Sequence, residues 1–299
     1  MTDHQTPASG PLRDVWHIFA QHRGALLGAV VFGLVIVTVY LGPFFWTLDP
    51  GFADIRARNQ GPGWAHPFGT DNLGRDTLAR VMAGGQISIA VGLAAMALSI
   101  GLGSLIGVLA GMFRLLDGPL MRLTDLFLSL PLLPLLLVMM LLFNESLTGV
   151  LGPETGTFIL IVGAIGLTSW MPTARIVRGE VLALKEREFV LAARSIGTSP
   201  TKLITRHILP NVLSPILVSA TLGIATAIIT ESALSFLGFG FPPDFATWGQ
   251  LLKDATVYLQ DYPERVIWPG LAISLTVLSV NYMGDGLRDG LDPRARRQR

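Results

Sequence analysis

Six long apolar stretches constrain this chain more than any other feature. They cover residues 25–46, 87–113, 124–143, 157–171, 212–239 and 266–283. A helix crossing the hydrocarbon core of a bilayer needs about 20 mostly apolar residues. The fourth stretch is the shortest. Their interiors hold many Gly and some Pro, which membrane helices tolerate because neighbouring helices satisfy the freed backbone groups. Hydrophobic residues make up 51% of the 299 positions and charged residues only 14%, against roughly 25% charged in soluble domains. The expected fold is an all-α integral membrane protein with six transmembrane helices. The first stretch is too long for the apolar region of a signal peptide and lacks a small-x-small cleavage site, so it reads as a retained anchor.

Orientation follows from the basic residues, which favour the cytoplasmic side. With both termini inside, 16 of the 22 Lys and Arg lie in inner segments. Only Arg56, Arg58, Arg75, Arg80, Lys253 and Arg265 lie outside. The organisation is then an inner N-terminal segment (1–24), a first transmembrane helix (25–46) and an outer segment with a surface helix (47–86). A five-helix core (87–287) follows, containing an inner loop (172–210), and a basic tail (288–299) ends the chain. The absence of cysteine excludes disulfides, thiolate metal sites and cysteine nucleophiles.

The inner loop 172–210 is the largest polar excursion. Phe189, Ala192, Ala193 and Ile196 recur at i, i+3, i+4 and i+7, one face of a helix. Gly197 suits a helix stop, and Ser199 before Pro200 suits a restart that ends before Pro210. A helix shorter than about 12–15 residues rarely holds alone in water. Two readings stand: a solvated connector whose alanines simply favour helix, or a helix whose Ala192–Ala193 face docks on something.

The outer stretch HPFGTDNLGRDTLARVMAGGQIS (66–88) has its own pattern. Thr70 or Asp71 is the expected cap of a helix. Asp71 with Arg75, and Asp76 with Arg80, are opposite charges at i,i+4. Leu78, Val81 and Met82 give a narrow apolar face, as for a helix lying on the outer membrane surface.

Catalytic signatures are missing. The sequence has no Gly-Lys dipeptide, hence no P-loop for ATP, and no HExxH or GxSxG. His4, His17, His22, His66 and His207 lack ligand spacing for a metal. Polar residues within the spans are few. Asp125 opens the third span at its interfacial end. Glu231, deeper in the fifth, either lines a pathway or caps a helix break at Thr230–Glu231–Ser232, because a buried carboxylate faces a cavity or a partner. Ser129 beside Pro131 and Asn281 in the last span are further pathway candidates. Trp170 and Trp268 fit interfacial belts. So few intramembrane charges leave little for a stand-alone ion-coupled carrier, the rival class, and no inverted repeat supports one.

The loop containing Ala192–Ala193, Gly197 and Ile208-Leu209-Pro210 resembles the cytoplasmic EAA loop of binding-protein-dependent ABC importer permeases. HPFGTDNLGRD, ESALSFLGFGFPPDFATWG (231–249) and GDGLRDGLDPR (284–294) resemble strings of the dipeptide, oligopeptide and nickel permeases. The helix ahead of the core resembles that of the C-type subunit of these systems. The resemblance implies a type I importer permease fold in the bacterial inner membrane. It further implies an ATPase-coupling loop of Glu188, Leu191, Ala192, Ala193, Arg194, Ser195, Gly197, Pro200 and Lys202. Leu191 stands where the family has Glu, and Glu188 lies one turn earlier. The implied partners are a second homologous permease in a heterodimer, two ABC ATPase subunits that hold ATP and Mg, an extracytoplasmic substrate-binding protein near Gly238, Gly240 and Pro242–Pro243, and membrane lipid. Neither a cofactor on this chain nor nucleic acid is implied. The implied substrates are dipeptides or oligopeptides, with nickel or another small solute as the alternative.

Overall fold

A computed structural model describes residues 11–291. Among these residues the regular structure is helical, apart from one isolated bridge between Thr70 and Asp76. The helices are α1 (Pro11–Gln21), α2 (Arg23–Phe45), α3 (Thr77–Met112), α4 (Arg114–Ser129), α5 (Leu132–Leu151), α6 (Pro153–Thr168) and α7 (Met171–Leu184). They continue with α8 (Glu188–Ser195), α9 (Pro200–Leu203), α10 (Leu209–Phe236), α11 (Trp248–Thr256) and α12 (Glu264–Leu291). Five spans meet the length and composition needed to cross a membrane: α2, α3, α5, α10 with the turns leading into it, and α12. The pair α6–α7, bent by 43°, makes a sixth if taken as one broken span. His4, Arg294, Arg296, Arg297 and Arg299, and with them most of the basic tail, lie outside the described residues.

Several sequence expectations are corrected. The surface helix expected within 47–86 is not separate from the second span. At about 1.5 Å per residue, the 36 residues of α3 reach about 54 Å, well beyond the hydrocarbon core. Val81 and Met82 are buried on this continuous helix instead of lying on a surface. Its cap is Asp76, whose carboxylate accepts from the Ala79 N–H at 2.7 Å, and not Thr70 or Asp71.

The expected Asp76–Arg80 pair is also absent. Asp76, turned to the cap, accepts from Trp46 Nε1 at 3.0 Å and contacts His66 Nδ1 at 2.8 Å. Arg80 Nη1 donates instead to Asp71 at 2.6 Å, beside Arg75 Nε at 2.7 Å.

The expected third span, 124–143, is broken. Pro131 has no N–H to donate and drives Leu130 into an extended conformation, so α4 stops at Ser129 and α5 restarts at Leu132. Asp125 therefore lies on α4, exposed and paired with Arg175. Trp170, expected in an interfacial belt, is buried at the α6–α7 bend with its ring edge toward Phe127.

Small residues set the helix spacing. Gly103, Gly107 and Gly111 form a stripe at four-residue intervals on α3, against which α7 lies. A Cβ at Gly107 would come within 2.6 Å of the Ala174 carbonyl oxygen. Such close backbone approach is the usual source of helix association in lipid. Large apolar side chains such as Leu27, Leu34, Leu105, Leu141 and Leu142 remain exposed around the outside. In a bilayer these face lipid and need no protein cover.

Candidate functional site

The polar loop folds from its sequence upward. Glu188 sits in the first turn of α8 and Arg194 in the last, the order favoured by the helix dipole. The helix ends in a Schellman turn: Gly197 N–H donates to Arg194 at 3.0 Å and Thr198 N–H to Ala193 at 3.1 Å. Gly197 has φ +82°, a conformation other residues adopt only under strain. Ser199 is extended and Pro200 opens α9. A π-helical turn, Ile204–Ile208, then feeds into α10, with the Asn211 amide donating to the His207 carbonyl at 2.6 Å.

Packing divides the expected apolar face of α8. Val190 and Ala193 are buried in one cluster with Val108, Val177, Val181, Leu203, Ile208 and Val212, so this face of α8 is covered by its own chain, next to α9. Phe189, Leu191, Ala192 and Ile196 face outward, Ile196 with 84% of its surface exposed. Ala192 and Ala193 therefore do not share a docking face: Ala193 docks on its own chain and Ala192 points away. Glu188, Arg194, Ser195, Pro200 and Lys202 are also exposed, the Ser195 hydroxyl donating to the Leu191 carbonyl at 3.0 Å.

Two ion pairs clamp α4 onto α7 beside this loop. Arg178 grips Asp117 with two nitrogens, Nη2 lying 2.8 Å from Oδ2, and Arg175 pairs with Asp125. The Arg178 hydrogen bond, outweighing desolvation and aided by its charge, holds the Asp117 carboxyl below the usual carboxylate range.

Helices α4, α7 and α10 border a cavity of about 380 Å³. Its wall comes from both helix breaks, through Leu130 and Leu132 on one side and Ser169 and Pro172 on the other, facing Met96 of α3 and Ser219 and Thr226 of α10. Thr168 and Thr173 add hydroxyls. Among the described residues no ionisable side chain lines it.

The structure places none of the three pathway candidates on this wall. Ser129 is exposed at the end of α4, its hydroxyl donating to the Leu126 carbonyl at 2.7 Å. Asn281 is half-buried on α12. Glu231 is fully buried, and α10 runs through it without the expected break. Its carboxylate accepts from Ser235 at 2.7 Å, Ser88 at 2.8 Å and Ser232 at 3.4 Å. The hydroxyls that do line the cavity escaped sequence reasoning. Their one available signal was Ser or Thr close to the prolines that break apolar helices.

Comparison with known proteins places these features among relatives. A family described as the binding-protein-dependent transport system inner membrane component matches residues 99–297. The N-terminal TM domain of oligopeptide transport permease C matches residues 10–62. A protein of Brucella suis biovar 1, provisionally named a peptide permease, is 40% identical over 97% of this chain and 93% of its own length. The oligopeptide transport system permease protein OppC of Bacillus subtilis is 36% identical over 95% of this chain and 90% of its own. A solved amino acid ABC transporter chain aligns at TM-score 0.49 and 17% identity over 71% of this chain and 92% of that one, too distant to add to these matches.

Proposed function

Because the chain belongs to the family of binding-protein-dependent transport system inner membrane components, we propose that it is the C-type permease subunit of an ATP-driven importer that carries peptides across the bacterial inner membrane. The observation that carries this reading is the division of α8 into a rooted face and an exposed apolar one. Phe189, Ala192 and Ile196 form an exposed strip, with the Phe189 ring near His207 and Leu191 exposed on another side, at the end of the helices that enclose the cavity. An ATPase subunit is the partner whose surface covers that strip. A second permease faces the cavity, and an extracytoplasmic binding protein delivers peptide at the opposite end.

ATP and Mg are held by the two partner ATPases, since this chain has no P-loop of its own. Closure of the ATPases displaces α8. Because α8 is rooted by Val190 and Ala193, and α4 is clamped by Arg175 and Arg178, the helices lining the cavity move as one body between two states whose balance ATP sets. The uncharged wall lets peptides pass without regard to side-chain charge. The α8 end faces the cytoplasm, in keeping with the basic residues of the inner segments.

The test is Ala192→Glu in the assembled transporter. Co-purification of the ATPase and ATP-driven peptide uptake are expected to fall, while membrane insertion persists. Unchanged uptake rejects the reading, as does gradient-driven uptake by this chain alone without nucleotide.

A further inference from the structure

At the end of the bundle opposite α8, two adjoining cavities open between the α5–α6 turn and the segment joining α10 to α11. One, of about 310 Å³, is lined by Asn144, Thr148, Gln250 and Lys253 among others. The other, of about 180 Å³, is lined by Asn144 and Glu145 with Gly238–Gly240 backbone. They share Asn144, Gly238 and Gly240, so they form one recess with a cation on one wall and an anion on the other.

Lys253 feels the charge of neighbouring Asp254 but does not pair with it. Among the described residues, Lys253 and Glu145 make no salt bridge. The Lys253 ammonium lies over Gly238, where a Cβ would come within 2.6 Å of Nζ. Gly238 also has φ +89°, a backbone conformation that calls for glycine. The recess thus presents one donor of positive charge, one carboxylate and a side-chain amide between them.

We propose that this recess is an entry subsite for the zwitterionic main chain of a peptide. Lys253 takes the terminal carboxylate, Glu145 the terminal ammonium, and Asn144 a peptide group between. The proposal rests on the peptide-import reading above and adds to it the groups that recognise the substrate. The chemistry suits short peptides of any side chain, because every unmodified linear peptide carries a free terminal ammonium and a free terminal carboxylate. A divalent cation is a poor fit: it prefers six or more oxygen ligands, and here one carboxylate stands near an ammonium.

The experiment uses the complete transporter with its binding protein in liposomes, and tri-alanine with and without C-terminal amidation. Loss of one charge-assisted contact is expected to lower kcat/KM for tri-alanine about tenfold in Lys253→Met and in Glu145→Gln. Lys253→Met should also erase the preference for the free carboxylate over the amide, whereas Glu145→Gln should keep it. Basal ATPase rate and saturation by the binding protein, both expected to be unchanged, report on folding and docking. Unaltered kcat/KM in both variants overturns the subsite while leaving the peptide reading intact. A loss explained by weaker binding-protein docking also overturns it, assigning these residues to the partner surface. An assembly that moves no tri-alanine at all overturns both.

Discussion

The Ser88 hydroxyl donates to the Glu231 carboxylate at 2.8 Å, joining α3 to α10 across 143 residues of chain. The same hydroxyl lies 3.3 Å from the Trp248 N–H, and Thr247 also bonds the carboxylate, so the start of α11 is tied to both helices. Trp248 Nε1 donates to the Val81 carbonyl at 2.9 Å, and its ring is fully buried. Glu231 is thus the hub that ties α3, α10 and the start of α11 together.

Removing that hub strands several buried hydroxyls. Glu231→Ala is expected to destabilise the protein by about 2–4 kcal/mol, since each unsatisfied buried polar group costs about 1–3 kcal/mol. Glu231→Gln, which keeps an acceptor oxygen, should lose less than half of that. Thermal unfolding in detergent measures both, and equal losses would show that one acceptor oxygen in the same shape does not suffice and that both carboxylate oxygens are needed.

The contact of α3 with α7 depends on a missing side chain. Gly107→Val puts a Cβ 2.6 Å from the Ala174 carbonyl oxygen and against Val177. Overpacking of this kind costs about 1–3 kcal/mol. Gly101, with open space beside it, is the control: Gly101→Val should leave the unfolding temperature nearly unchanged.

Gly197 closes the Schellman turn of α8 in the left-handed region. Gly197→Val should cost about 1–2 kcal/mol locally. Because α8 is a short surface helix, the change should surface as faster amide exchange at residues 188–198 rather than as global unfolding. Unchanged exchange there would mean that packing of Val190 and Ala193 alone holds the helix.

Acid should loosen the segment ahead of α3. Burial pushes the Asp71 carboxyl up, but the Arg75 backbone N–H and the charges of Arg75 and Arg80 outweigh it and hold it below the ordinary 3.8. A depressed carboxylate contributes stability that is present above its unfolded value and is lost as pH falls through the folded one. The Asp71 contribution should therefore fade only below about pH 4. Asp254 works in the opposite sense: burial, partly opposed by Arg80, raises its carboxyl, so what it contributes is lost as pH rises through that raised value. Melting temperature against pH for the native protein and Asp71→Asn checks this. The variant should lose stability at neutral pH and show a flatter acid limb.

Local chemistry was enough to read most of the spans, helix α8 and the glycine stop at residue 197, but not that the helix restarting at Pro200 runs on past Pro210 into α10. Each depends on apolar run length, on helical spacing or on a backbone conformation that only certain residues favour, and all of these are written in consecutive residues. The break at Leu130–Pro131 was locally legible too, yet the continuous apolar run masked it. What the tertiary structure alone decided concerns partners distant along the chain. Three hydroxyls and Thr247 converge on Glu231, Asp76 turns away from Arg80 to cap α3, and α8 buries Val190 and Ala193 while exposing Ala192. Periodicity assigns a residue to a helix face, but only the neighbour packed there determines whether that face is covered. The cavity wall is assembled from α3, α10 and both broken helix pairs, and no single segment carries enough of it to be recognised.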